Sequence, residues 1–261
     1  MTAANWIILA IGGLVSGIVA GLLGIGGGTI LVPLLVTLGY TPVQAVATSS
    51  LAIIVTSISG SVQNWRMGYF NWRRVILLGL PSVATAQIGV FLANHILPYI
   101  LLAAFGILLL TNIYLVNLRK RLTNRQASTT QKFNTVWARI VTGGAAGILA
   151  GLFGVGGGVI MVPLQMLLLQ EQIKVAIQTS LGVIIITAVS ACVGHALAGN
   201  VLFLPGMLLG AGGLVGAQIS TRLLPKLSDS IVSLIFRLFL ATLSIYTFWQ
   251  AWNNYLATNV S

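Results

Sequence analysis

Apolar runs of roughly twenty residues, separated by short polar breaks, recur along the whole chain. A helix of about that length crosses a hydrocarbon layer of ~30 Å, so the pattern predicts an all-α polytopic membrane protein. The first apolar segment is unusually long, from Asn5 to Leu38, and glycines interrupt it at Gly24 to Gly28. Spans are predicted to follow near 44–62, 75–93 and 98–117. After a polar stretch rich in Arg, Thr and Gln, the plan repeats as a broken segment at 137–169 and spans near 175–196, 202–221 and 231–252. This divides the chain into a first transmembrane repeat (1–117), a basic linker (118–136) and a second transmembrane repeat (137–261), with 8–10 helical elements in all. The opening MTAANWIILAIGGLV has no basic n-region and its apolar run exceeds signal-peptide length, so it reads as a retained first span.

The two repeats match in sequence. Residues 21–35, GLLGIGGGTILVPLL, return as residues 151–165, GLFGVGGGVIMVPLQ, at an offset of 130. At an offset of 131, Ala47-Thr48-Ser49 answers Gln178-Thr179-Ser180, Gly68 answers Gly199, and Ala86-Gln87-Ile88 answers Ala217-Gln218-Ile219. Two homologous halves of this kind are a common architecture of secondary transporters, whose substrate lies where the halves meet.

Charge bears on how the halves are oriented. If each broken segment crosses once, the halves are parallel, and nine bases from Arg66 to Arg139 face Lys174, Arg222 and Lys226 across the membrane. If it crosses out and back, the second half is inverted and all twelve fall on one side, which the positive-inside rule favours. Against inversion, the piece from Thr29 to Leu38 is only about 15 Å long as a helix, too short to cross unaided. The expectation leans to an inverted repeat with the linker in the cytoplasm of a multi-pass cell-membrane protein.

Composition narrows the function further. Only 6% of the 261 residues are charged against 57% apolar, where a soluble domain carries about a quarter charged residues. The net charge of +11 is concentrated between Arg119 and Arg139, beside uncharged spans, so cytoplasmic retention rather than nucleic-acid binding is expected. Glu171 and Asp229 are the only acids and both lie in polar breaks, which removes the usual intramembrane proton or sodium relay. With one cysteine, Cys192, and two distant histidines, His95 and His195, neither a disulfide, a metal site nor a cofactor is expected. No GxxxxGK[ST] loop or GxSxG nucleophile motif occurs, so the chain reads as a non-enzyme that does not itself use ATP.

The candidate chemistry centres on Gly24-Ile25-Gly26-Gly27-Gly28 and Gly154-Val155-Gly156-Gly157-Gly158. Each glycine costs about 1 kcal/mol relative to Ala in a helix, so the segments should unwind there. Unwound backbone inside a bilayer is tolerated only within protein or around a water-filled cavity. Pro33 and Pro163 fit an early turn of a following helix, whose N-terminus would direct N–H groups and partial positive charge into such a cavity. Close packing of helices through small residues is the alternative use of these glycines.

Hydroxyls add to the pattern. At about 100° per residue, Ser50, Ser57, Ser61 and Asn64 lie within about 60° of one another on one helix face. The matching span carries Thr179, Ser180, Thr187, Cys192 and His195, with His195 answering Asn64. Such a stripe either lines an anion path or back-bonds to its own helix. The candidate substrate-binding set is Gly24, Gly26, Gly27, Gly28, Thr48, Ser49, Ser50, Asn64, Gly154, Gly156, Gly157, Gly158, Gln178, Thr179, Ser180 and His195. Gln87 and Gln218 are further cavity candidates or helix–helix glue, and Arg237 is a counter-charge or a snorkelling side chain. The six tryptophans, at span ends, form an aromatic belt.

The doubled GxGGGxxxxP pattern, each copy followed by a Thr-Ser pair, resembles the sulfite exporter TauE/SafE family of membrane permeases over nearly the whole chain. The motif positions are Gly24, Gly26, Gly27, Gly28, Pro33, Thr48, Ser49 and their partners Gly154, Gly156, Gly157, Gly158, Pro163, Thr179, Ser180. The resemblance implies transport of a small sulfur-containing anion, such as sulfite or an organosulfonate, across a prokaryotic membrane, most simply the bacterial inner membrane. The residues agree on sign, since a site of helix N-termini and hydroxyls without carboxylates favours an anion. A passive anion channel would use the same site. The expected partners are that anion and membrane lipids; whether the chain forms a homo-oligomer stays open.

Overall fold

The computed structural model describes residues 3–125 and 135–260, and side chains within 6–115 and 136–256. The central part of the expected linker, 126–134, and the side chains of Arg119, Lys120, Arg121, Arg125 and Lys132 lie outside the described residues. Among those described there are helices and turns and no strand. The first half forms α1 (Ala3–Leu23), α2 (Gly28–Thr37), α3 (Pro42–Arg66), α4 (Trp72–His95) and α5 (Pro98–Arg125). The second forms α6 (Thr135–Phe153), α7 (Gly158–Leu168), α8 (Ile173–Leu197), α9 (Phe203–Leu223) and α10 (Asp229–Val260). Eight of these are long and apolar enough to cross a membrane, while α2 and α7 are shorter.

Local chemistry accounts for the boundaries. Thr41 and Gln44 form a capping box ahead of α3, with Pro42 at the first helical position. Asn71 caps α4 by accepting from the Arg74 amide. α1 stops at Leu23 because Gly24, Gly26 and Gly27 all take left-handed φ values, +66°, +78° and +82°. Gly154, Gly156 and Gly157 do the same after α6, at +62°, +72° and +77°. Pro33 and Pro163 are not in the first turn of the following helix but inside α2 and α7. Their missing N–H groups therefore interrupt the helical ladder past the point where a first-turn proline would be neutral.

The short helices fold back. Ser16 of α1 donates to the Gly27 carbonyl at 2.9 Å, and Leu34 packs on Gly12, so α2 runs antiparallel to α1 and returns toward its start. Gly157 likewise packs against Ala146 of α6. The length objection raised by the sequence disappears, because α2 lies inside protein and does not have to cross lipid alone.

Between the halves, helices meet through small residues. Gly13, Gly17 and Gly21 of α1 abut Leu209, Gly213 and Ser220 of α9, and the rising numbers on both sides make the pair parallel. Gly143, Gly147 and Gly151 of α6 abut Leu78, Ser82 and Ala86 of α4 in the same manner. A Cβ on most of these glycines would strike a backbone carbonyl, which is why the axes come so close. By contrast α5 and α10 run antiparallel, since Tyr99 stacks edge-on with Tyr255 at 5.4 Å while Gly106 lies on Phe248. α3 and α8 are the central pair: 72% and 78% of their apolar windows are buried, against 33–44% for the other long helices. The outer helices turn Ile, Leu, Val and Trp side chains outward, including five of the six tryptophans; the sixth, Trp65, is exposed at the end of α3.

Loops gather at two ends. At one, Arg74 pairs with Glu171 at 3.2 Å, and Lys174 pairs with Asp229 at 3.6 Å and donates to the Pro225 carbonyl. At the other, Asn200 donates to Asn94 at 2.7 Å and the Leu202 amide to Thr48. Arg74, Lys174 and Lys226 thus share one face of the protein.

Candidate substrate site at the glycine breaks

The two glycine breaks meet at the centre of the molecule. A Cβ at Gly28 would run into the Gly154 carbonyl, and one at Gly158 into the Gly24 carbonyl. Ile53 of α3 and Ile184 of α8, both fully buried, close over the contact from either side. A Cβ at Gly26 would stand 3.3 Å from both of their Cγ2 atoms. In this conformation the two breaks are therefore in backbone contact, with the isoleucines over them. Glycine makes that possible, because without side chains two unwound strands can approach to backbone contact.

Each half also clasps the other. Ser49 Oγ donates to the Gly154 carbonyl at 2.8 Å, and Ser180 Oγ to the Gly24 carbonyl at 2.6 Å. The same hydroxyls lie 2.9 Å and 2.8 Å from the Val46 and Ile177 carbonyls of their own helices. Both serines are fully buried, so their single protons are committed to backbone in this arrangement. Thr187 adds a bond to the Gly156 carbonyl at 2.7 Å. These contacts satisfy break carbonyls that left their helical ladders, as a low-dielectric interior requires.

The remaining candidates divide. Gly24, Gly26, Gly27, Gly28, Gly154, Gly156, Gly157 and Gly158, with Ser49 and Ser180, form this central cluster. Gln178 and Thr179 are buried next to Ser180 on α8. Thr48 is drawn to the opposite task of accepting the Leu202 amide at 3.1 Å. Ser50, fully buried, back-bonds to the Val46 carbonyl of its own helix at 3.0 Å. Asn64 and His195 are both fully buried and lie toward the C-terminal ends of α3 and α8. His195 Nε2 bonds the Gly151 carbonyl at 2.9 Å. Gln87 and Gln218 reach Ser190 and the Ser59 carbonyl between helices, so they act as glue and not as cavity donors. Arg237 bonds the Ser233 carbonyl of its own helix.

Three residues of the cluster were not singled out in the sequence: Ser16, Ile53 and Ile184. Ile53 and Ile184 stand at the 131 offset, so the repeat marked them as a pair, but aliphatic residues in apolar spans carry no other signal.

A family profile fits this arrangement of paired breaks: the sulfite exporter TauE/SafE profile matches residues 9–247. The chain belongs to that family. Proteins similar to it include a probable membrane transporter protein of Xylella fastidiosa, 30% identical across 98% of this chain and 100% of that protein. The probable membrane transporter protein YunE of Bacillus subtilis is 27% identical across 90% of this chain and 94% of its own length. A probable membrane transporter protein of Methanocaldococcus jannaschii is 29% identical across 72% of this chain. No solved structure matches. Membership and these relatives make the chain a multi-pass membrane transporter.

Proposed function

We propose that the chain is a secondary transporter for a small sulfur-containing anion, sulfite or an organosulfonate, bound where the two glycine breaks meet. The observation that carries this reading is the mutual contact of the breaks, each held by a serine from the other half. The halves read as an inverted duplication. Supporting this are the antiparallel α5–α10 pair, the parallel α1–α9 and α4–α6 pairs, and the Arg74–Glu171 bridge, which puts two loops on one face that parallel halves would separate. That face carries the described bases and is the cytoplasmic one by the positive-inside rule, with the linker beside it and the protein in the bacterial inner membrane.

In this conformation the breaks are occluded. Transport then proceeds by parting Gly24–Gly28 from Gly154–Gly158 on one side at a time, which frees the serine hydroxyls and the amides at the starts of α2 and α7 for an oxyanion. A barrier only two backbone strands thick suits such alternation, and the closed contact argues against a continuously open channel.

The test is flux into liposomes with sulfite, thiosulfate, sulfate, sulfoacetate, taurine, lactate and chloride. Saturable flux confined to sulfur anions is the expected result. Flux that rises linearly without saturation would identify a channel, and flux of none of the sulfur anions would overturn the substrate class.

A further inference from the structure

The buried seam between α1, α3 and α9 holds polar atoms that the closed breaks leave unused. Ser57, Asn64 and Thr221 are each 0–1% exposed. The Ser57 hydroxyl, both amide atoms of Asn64 and the Thr221 hydroxyl have no hydrogen-bond partner among the described residues. Ser57, Gly60 and Asn64 follow one another at three- and four-residue spacing, which places them on one face of α3. Thr221 of α9 projects onto that face: its Oγ1 lies 3.3 Å from where a Cβ at Gly60 would stand and 2.8 Å from that of Gly21 on α1. Both glycines are needed to admit the hydroxyl.

The seam has a direction. One turn before Ser57 stands Ile53, which covers the central contact, and two residues after Asn64 comes the exposed Arg66 on the basic face. It therefore joins the break to one side of the protein. On the 131 offset, Ser57 and Asn64 answer Ala188 and His195 of the second half, and Thr221 answers Val90 of the first. Two of these have no polar side-chain atom, and His195 is bonded to the Gly151 carbonyl. Among these counterparts only His195 keeps an unpartnered buried polar atom, Nδ1, which is an acceptor while Nε2 donates to the Gly151 carbonyl.

We propose that Ser57 and Asn64 of α3, with Thr221 of α9, form an access site for small oxyanions on the basic face, without an equivalent at their repeat-related positions. The proposal rests on reading the chain as an anion transporter. The amide supplies two N–H donors and each hydroxyl one O–H, a set that matches the acceptor oxygens of sulfite. No carboxylate lies in the seam to hold a cation, and the basic face gives the local potential the sign that attracts an anion. The anion occupies the seam when α3 parts from α1 and α9, before it passes Ile53 to the glycine breaks.

The experiment uses the full-length protein with Thr221→Val and Asn64→Leu, separately, and measures sulfite-induced thermal stabilisation in detergent and flux in sided liposomes. Both variants replace unpartnered buried polar atoms by apolar ones of similar size, so the sulfite-free protein should melt at or above the wild-type temperature. Sulfite affinity should fall about tenfold. The KM should rise for sulfite offered from the basic face and stay unchanged from the opposite face. Wild-type affinity and wild-type KM from both faces in both variants would overturn the proposal while leaving the transporter reading intact. Stabilisation by sodium without sulfite would assign the seam to a cation and overturn it too. A wild-type protein that neither binds nor moves any sulfur anion would overturn the transporter reading itself, and the access site with it.

Discussion

Gly28→Ala and Gly158→Ala test the central contact by the sign of their effect. Both residues are the first of a helix, with ordinary φ values, so alanine meets no backbone strain there. On propensity alone the change stabilises a helix by up to about 1 kcal/mol. In the folded protein, however, the new methyl would overlap the carbonyl of the facing break and stand 2.6 Å from Ile53 Cδ1 in one case and 2.7 Å from Ile184 Cδ1 in the other. The isoleucines can turn away, but the carbonyls belong to strands fixed by Ser49 and Ser180. Overpacking of this kind costs about 1–3 kcal/mol, so after the propensity gain the net effect is destabilisation by up to about 2 kcal/mol. Gly39→Ala is the control: its φ is +90° and nothing lies within 4 Å, so it reports backbone strain alone. Thermal unfolding of the purified variants is the assay, paired with flux in liposomes. Melting temperatures at or above wild type for both Gly28→Ala and Gly158→Ala would refute the contact between the breaks.

Other consequences can be checked alongside. Ser49→Ala and Ser180→Ala should each lower stability by about 0.6–1.7 kcal/mol, the range for hydrogen bonds in membrane proteins, and a denaturation series that shows no loss in either would remove the clasp. Arg74→Cys with Glu171→Cys, in a Cys192→Ala background, should be bridged by a flexible bifunctional thiol reagent long enough to replace the two side chains, whose tips meet at 3.2 Å; failure to cross-link would break the shared face. In the same background, Gly68→Cys and Gly199→Cys should react with an impermeant thiol reagent from opposite sides of a vesicle, and labelling of both from one side would refute the inverted arrangement. Glu171→Gln should change stability by less than about 1 kcal/mol, since its partner is partly solvated, as judged by the thermal midpoint.

How much was legible in the sequence differs from element to element. The apolar runs located the eight long helices, six of them to within a few residues, while α5 and α10 each run eight residues past the predicted span, because length and hydropathy decide what can cross lipid but not where a helix stops beyond it. Repeated glycines at Gly24–Gly28 and Gly154–Gly158 marked where α1 and α6 end, since clustered left-handed backbone is glycine's own conformation. The matched Thr-Ser pairs located Ser49 and Ser180. Their task was not legible: hydrogen bonds at 2.8 Å and 2.6 Å to the other half depend on how the halves pack, which no local pattern encodes. The same holds for Ile53 and Ile184, apolar residues among many, and for Thr221, whose hydroxyl gains meaning only between Gly21 and Gly60. Which of the two readings applied to Ser50 was not legible, because a serine in a helix can turn back to the carbonyl four residues before, as it does here. The sequence by itself determined which segments are long and apolar enough to cross a membrane and where glycine ends α1 and α6, because these follow from hydropathy and backbone freedom. The tertiary structure alone decided that α2 folds back on α1 and that the two breaks close on each other, because those depend on contacts between residues more than a hundred positions apart or on the direction a chain takes after a glycine.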